Sequence, residues 1–146
     1  MSASLPLGWR VQAIASALII APLPSVVSLT RLGRWLGREI PVAMRGRLAD
    51  PPPDDHVVAE WVSGLLRRLP GPWRYTCLRR SLVLYHLLRR TGRAVELRVG
   101  VRKDGDGALA AHAWLVREGA PYLESDPTLP GRFSVIVRLP DPQDTQ

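Results

Sequence analysis

Along the chain the apolar positions follow a helical period first and a period of two afterwards, and the change near residue 92 divides the sequence. Residues 9–21 are almost uncharged and stop at Pro22-Leu-Pro24, which predicts one helix, and residues 25–38 predict a second. Residues 41–55 end in Asp50-Pro-Pro-Pro-Asp-Asp55 and form a linker, because consecutive prolines cannot continue a helix and favour an extended spacer. Over residues 56–69 the positions Val57, Val58, Trp61, Leu65 and Leu66 make an apolar stripe, with Glu60, Arg67 and Arg68 off it. Asp54 and Asp55 supply its cap and acidic first turn, and Pro70-Gly-Pro72 ends it. A further helix runs from Thr76 to Thr91-Gly92, with Thr76 as N-cap, Gly92 just past the end, and Arg89 and Arg90 in the last turn.

After Gly92 the residues Val95, Leu97, Val99 and Val101 alternate with Glu96, Arg98, Gly100 and Arg102, the pattern of a half-buried strand. Lys103-Asp-Gly-Asp-Gly107 makes a hairpin tip; as a calcium loop it is too short and lacks the downstream bidentate acid. Residues 109–116 return as a second strand, Arg117-Glu-Gly-Ala120 turns again, and residues 121–124 and 133–139 give two more. The expected class is α+β: N-terminal helices over 1–50, a core over 55–140 in which a helix packs on a small antiparallel sheet, and a disordered tail over 141–146.

Composition narrows the possible chemistry. The chain has 146 residues and one cysteine, so an internal disulfide is impossible, and Cys77, His56, His86 and His112 lack the paired spacing of a zinc site. No cofactor is called for. The net charge of +7 would suit nucleic acid, but only Lys103 among 20 basic residues is lysine and the arginines are scattered without aromatic interleaving. Nucleic acid is therefore not an expected partner. Residues 11–30 carry no charge and approach the length of a membrane span, yet Pro22 and Pro24 interrupt them and Gln12, Ser16, Ser25, Ser28 and Thr30 dilute them. Neither they nor Arg10, as a lone leading charge without a small-x-small cleavage site, make a convincing secretory signal. The expected setting is cytoplasmic, with lipid contact through these residues as the less favoured alternative.

Cys77 falls at the first helical position, where unpaired backbone N–H groups and the positive end of the helix dipole stabilise a thiolate and could hold an oxyanion. By position alone it reads equally as a nucleophile and as a small apolar residue. His112 lies mid-strand between Ala111 and Ala113, which leave its imidazole accessible, and Trp114 shares its face. A helix-start cysteine, a strand histidine and then an acid at Glu124 or Asp126 are the parts of an acyl-transfer site: nucleophile, general base and orienter of the base. His86 is excluded as the base. Nine residues along the same helix, it points away from Cys77 and lies roughly 13 Å up the axis.

Cys77-Leu-Arg-Arg-Ser-Leu, the helix end Arg89-Arg-Thr-Gly92, the strand end Gly100-Val-Arg102, and His112-Ala-Trp114 followed by Glu118-Gly119 resemble the transglutaminase-like cysteine peptidases of lasso-peptide biosynthesis. The resemblance covers about residues 55–139. It implies a papain-like or transglutaminase-like core that cuts a ribosomally made precursor between leader and core peptide, with Cys77 as nucleophile, His112 as base and an acid about a dozen residues later. The family spacing favours Glu124, whereas Asp126 is the more usual residue type; in an extended strand the two share a face. Trp114 is a candidate substrate contact. Residues 1–70 lack the three-strand wing of a fused leader-recognition domain, so the resemblance implies a separate leader-recognition protein as partner. The apolar helices between Trp9 and Leu36 are a candidate docking face for it or for an ATP-dependent macrocyclase. Two other functions fit the same residues: a catalytically silent adaptor that binds leader peptide or macrocyclase, and acyl transfer to an amine in place of water.

Overall fold

The computed structural model describes residues 5–22, 53–90 and 92–139. The expected helix over 25–38, most of the linker and the C-terminal tail lie outside these residues. The described elements are helices α1 (Leu7–Ile20), α2 (Asp55–Arg68) and α3 (Cys77–Arg90), then strands β1 (Glu96–Lys103), β2 (Leu109–Arg117), β3 (Ala120–Tyr122) and β4 (Ser134–Leu139). Short 3-10 turns at Gly71–Trp73 and Leu129–Arg132 complete them. The fold is α+β, with the strands in one antiparallel sheet of order β3-β2-β1-β4.

An apolar stripe holds each helix, and in α2 and α3 a side-chain cap also starts it. In α1 the buried positions Trp9, Ala13, Ala17 and Ile20 recur at helical spacing and pack against α3 and α2, so this helix shares the core of the others. Its alanines let the neighbouring backbone come close. Two long-range hydrogen bonds fix it, from Arg90 Nη1 to Gln12 Oε1 at 2.7 Å and from Trp73 Nε1 to the Leu18 carbonyl at 3.1 Å. Its outward side leaves Leu7, Val11, Leu18 and Ile19 exposed. In α2, Asp54 caps the start by accepting from His56 N at 2.8 Å, and Val58, Val62 and Leu66 line the buried side.

The central helix is α3, buried at Leu82, Val83, Leu84, Tyr85, Leu87 and Leu88. Its end is a Schellman closure: Gly92, at φ +84°, donates to the Arg89 carbonyl and Arg93 to that of Leu88. β1 then pairs with β2 in the register Leu97 to Leu115 and Gly100 to His112, and with β4 through a bulge at Val99/Gly100. Val95, Leu97, Leu115 and Leu139 join the helices in the core. β3 pairs with β2 only from Leu115 to Arg117. Among the described residues no strand lies beside the outer edge of β2 from His112 to Trp114.

Candidate active site

The site is assembled from the start of α3, the unpaired edge of β2 and the segment after β3. At the first of these, Thr76 accepts from Arg79 N through Oγ1 at 3.1 Å and from Arg80 N through its carbonyl at 3.0 Å. The first bond satisfies one of the donors that every helix start leaves over and the second is the first regular bond of the helix; the N–H groups of Cys77 and Leu78 precede it, as donors of the kind that can hold an oxyanion. Cys77 itself is half-buried. One turn further along the same face, Ser81 Oγ donates to the Ala113 carbonyl at 3.2 Å, which seats this end of α3 on β2 beside His112.

His112 sits on a platform of aromatic rings. Trp114 stacks on the imidazole with centroids 5.8 Å apart, and the Phe133 ring lies 5.5 Å from it. Gly100, directly across the ladder from His112, makes room for both rings: a Cβ there would stand 2.8 Å from Phe133 Cβ and 2.9 Å from the Trp114 ring. His112 Nε2 lies 3.2 Å from Glu124 Oε2, and the two side chains are only 15% and 8% exposed. A carboxylate accepts, so Nε2 carries the hydrogen of this contact, and in a neutral ring the lone pair is then on Nδ1. Nδ1 is the nitrogen a general base needs. Among the described residues the polar partner of the imidazole is Glu124, and Cys77 is a free thiol at the start of α3, the helix that Ser81 ties to the strand of His112.

The acid is delivered by a backbone reversal. β3 ends at Tyr122, and Leu123, buried and at φ +60°, turns the chain so that Glu124 points back to His112. A leucine in the left-handed region is strained and persists only where its surroundings hold it. On one side the Tyr122 hydroxyl donates to buried Asp55, which also pairs with Arg93 at 2.8 Å and has Arg117 at 3.6 Å. Burial, then the bond to Asp55, raises the Tyr122 phenol above its ordinary range. On the other side, Arg80 Nη2 donates to the Leu123 carbonyl at 2.9 Å and Arg80 Nε to Ser63 Oγ at 2.9 Å. His112 and Glu124 open onto a cleft of about 590 Å³ whose walls include Glu60, Arg67 and Tyr75.

Of the two acids the sequence leaves open, the structure brings Glu124 to His112. Asp126 faces the other way: its Oδ1 accepts from Thr128 N at 3.0 Å and from Thr128 Oγ1 at 2.6 Å, closing a local turn. Those bonds, the Thr128 hydroxyl first, hold its carboxyl below the ordinary range. The expected strand over 121–124 ends at Tyr122, and the expectation that Glu124 and Asp126 share a face in extended chain is corrected by the reversal at Leu123. Trp114 is also corrected as a substrate contact, since it is 3% exposed and its ring lies beneath His112. His86 lies further along α3, where burial and then the nearby Arg90 guanidinium pull its imidazole down to about 4. Gly100, Phe133 and Arg80 serve the site without having been singled out from the sequence. The position of Gly100 opposite His112 was the one available signal, because a glycine inside a strand marks close approach of another group.

Among the described residues no group of three or more His, Cys, Asp or Glu side chains could hold a metal ion, and no helix is long and apolar enough to cross a membrane. A model of the transglutaminase-like superfamily matches residues 10–138, from within α1 to the end of β4. The chain belongs to this superfamily. No curated protein and no solved structure matches it. In the transglutaminase-like chain the matched span takes in Cys77, His112 and Glu124 together with the helices that seat them.

Proposed function

We propose that this transglutaminase-like chain is a cysteine peptidase that removes the leader from a ribosomally made precursor peptide, as the lasso-peptide maturation enzymes it resembles do. The observation that carries this reading is the 3.2 Å contact between His112 Nε2 and Glu124 Oε2, on a strand that α3 grips one turn past Cys77. With Nε2–H donating to Glu124, a neutral imidazole has Nδ1 as the atom that accepts a proton.

The reaction then runs in two halves. Nδ1 takes the proton from the Cys77 thiol, and the thiolate forms a C–S bond to the carbonyl carbon between leader and core while backbone N–H groups at the start of α3 hold the oxyanion. The imidazolium, steadied by Glu124, gives its proton to the departing amine nitrogen as the C–N bond breaks. Water attacks the thioester, His112 takes a proton from it, the C–S bond breaks, and that proton returns to the sulfur.

The test is the reaction of Cys77 with iodoacetamide, together with cleavage of a synthetic precursor peptide, in the parent protein, Cys77→Ala and His112→Ala. The parent should cleave and be alkylated quickly; Cys77→Ala should abolish cleavage, and His112→Ala should slow alkylation and cut cleavage on the order of 10²-fold or more. A Cys77 as slow in the parent as in His112→Ala, with a leader peptide still bound, would instead identify an adaptor of the same fold.

A further inference from the structure

We propose that Arg80 is a positioning residue for Glu124, tying the segment that bears the acid to the helix that bears Cys77; this rests on the peptidase reading of the site. The ladder between β2 and β3 stops at the pairing of Leu115 with Tyr122, so among the described residues no strand pairing holds Leu123 and Glu124 against the sheet. Their place is set by side chains. Arg80 lies three residues along α3 from Cys77, and its own N–H bonds the Thr76 carbonyl that begins the helix. Its guanidinium spans two elements at once: Nη2 donates to the Leu123 carbonyl and Nε to Ser63 Oγ, each at 2.9 Å. Ser63 Oγ in turn donates to the Ala59 carbonyl at 2.8 Å inside α2. The carbonyl that Arg80 holds belongs to the peptide joining Leu123 to Glu124, and Leu123 is the buried residue at φ +60° whose turn aims the acid.

A planar fork of donors holds a carbonyl and a hydroxyl together in fixed geometry, which a single ammonium cannot do. Losing it frees a strained turn to relax, and Glu124 leaves Nε2 when it does. The effect on chemistry is indirect, because Arg80 touches the acid's backbone and none of the reacting atoms.

The test compares Arg80→Met, Arg80→Lys, Glu124→Gln and the Arg80→Met/Glu124→Gln double variant by three measurements: the low-field proton resonance of His112 Nε2–H, the rate of Cys77 alkylation, and melting temperature. Arg80→Met should lose the resonance as Glu124→Gln does and slow alkylation about tenfold or more, with the double variant no slower than the worse single one. Arg80→Lys, which keeps the charge and one of the two bonds, should fall between parent and Arg80→Met. A lowered melting temperature with resonance and alkylation rate unchanged would overturn the proposal and leave Arg80 merely structural. Should Arg80→Met fail to fold, Arg80→Lys and Ser63→Ala carry the same test, and parent-like resonances in both would overturn it. Because the resonance needs no substrate, a parent that cleaves no peptide sinks the peptidase reading without obscuring this result.

Discussion

His112 and Glu124 touch, yet the two are placed by different means. His112 lies inside a ladder, paired across to Gly100, with Trp114 and Phe133 packed on its ring and the α3 serine on the next carbonyl. Glu124 lies past the last ladder pair, on a reversed backbone, and keeps its place through the Tyr122 hydroxyl on Asp55 and the Arg80 guanidinium on Leu123. A strand residue is held by many small terms that fail together only when packing fails, whereas a looped residue is held by a few directional bonds that fail one at a time. His112 should thus resist most single polar substitutions and yield to changes of volume, and Glu124 should do the reverse.

The strongest way to break that contrast is Gly100→Ala. The added Cβ meets Phe133 Cβ at 2.8 Å, the Trp114 ring at 2.9 Å and the Ser134 carbonyl at 3.1 Å, two of the three contacts being with rigid groups in the strand pair. Overpacking of this kind costs about 1 to 3 kcal/mol, and a displacement of the imidazole near 1 Å costs about 10² in rate. We expect a melting temperature lowered by several degrees and cleavage reduced about a hundredfold. Parent-like activity in a folded Gly100→Ala protein would mean that the ring platform does not position the base.

The same contrast decides what the sequence could convey. Thr76, Gly92 and Asp54 act on groups within a few residues of themselves, so the limits of α2 and α3 were legible, and a clear alternation exposed β1 and β2. The candidates Cys77 and His112 came from those limits, since a helix start and a strand face are local facts. Glu124 against Asp126 could not be settled that way. Their separation depends on Leu123, whose positive φ has no turn residue to announce it and is held by Arg80, 43 residues earlier, and through Tyr122 by Asp55, 67 residues earlier. Trp114 showed its face but not the burial that the Gly100 gap and the Phe133 ring bring to it.

A second perturbation is acid, to which His86 contributes. Its imidazole, drawn down from 6.5 to about 4 by burial and then by Arg90, stays neutral in the fold and binds a proton more readily in the unfolded chain. The stability this provides is complete above about pH 6.5 and is lost as pH falls towards 4, amounting to about 2 to 3 kcal/mol by pH 4.5. Urea unfolding at pH 7 and 4.5 should show a smaller acid loss in His86→Gln by that amount. An equal loss in both proteins would mean that His86 does not contribute to the acid sensitivity.

The smallest effect expected is that of Asp126→Asn. Asn keeps an oxygen that can accept from Thr128 N and Thr128 Oγ1, the two bonds that close the turn, and the position is exposed. It loses only a charge directed away from His112. If Glu124 is the sole orienter of the base, cleavage by Asp126→Asn should stay within about threefold of the parent, the scale of an ordinary surface change, and its pH profile should not move. A loss as large as that of Glu124→Gln would mean that the segment after Leu123 exchanges its two acids during turnover. The acid would then be held even more loosely than its two clamps suggest, because Asp126 can reach the imidazole only if the Thr128 bonds break and the Leu123 turn reverses.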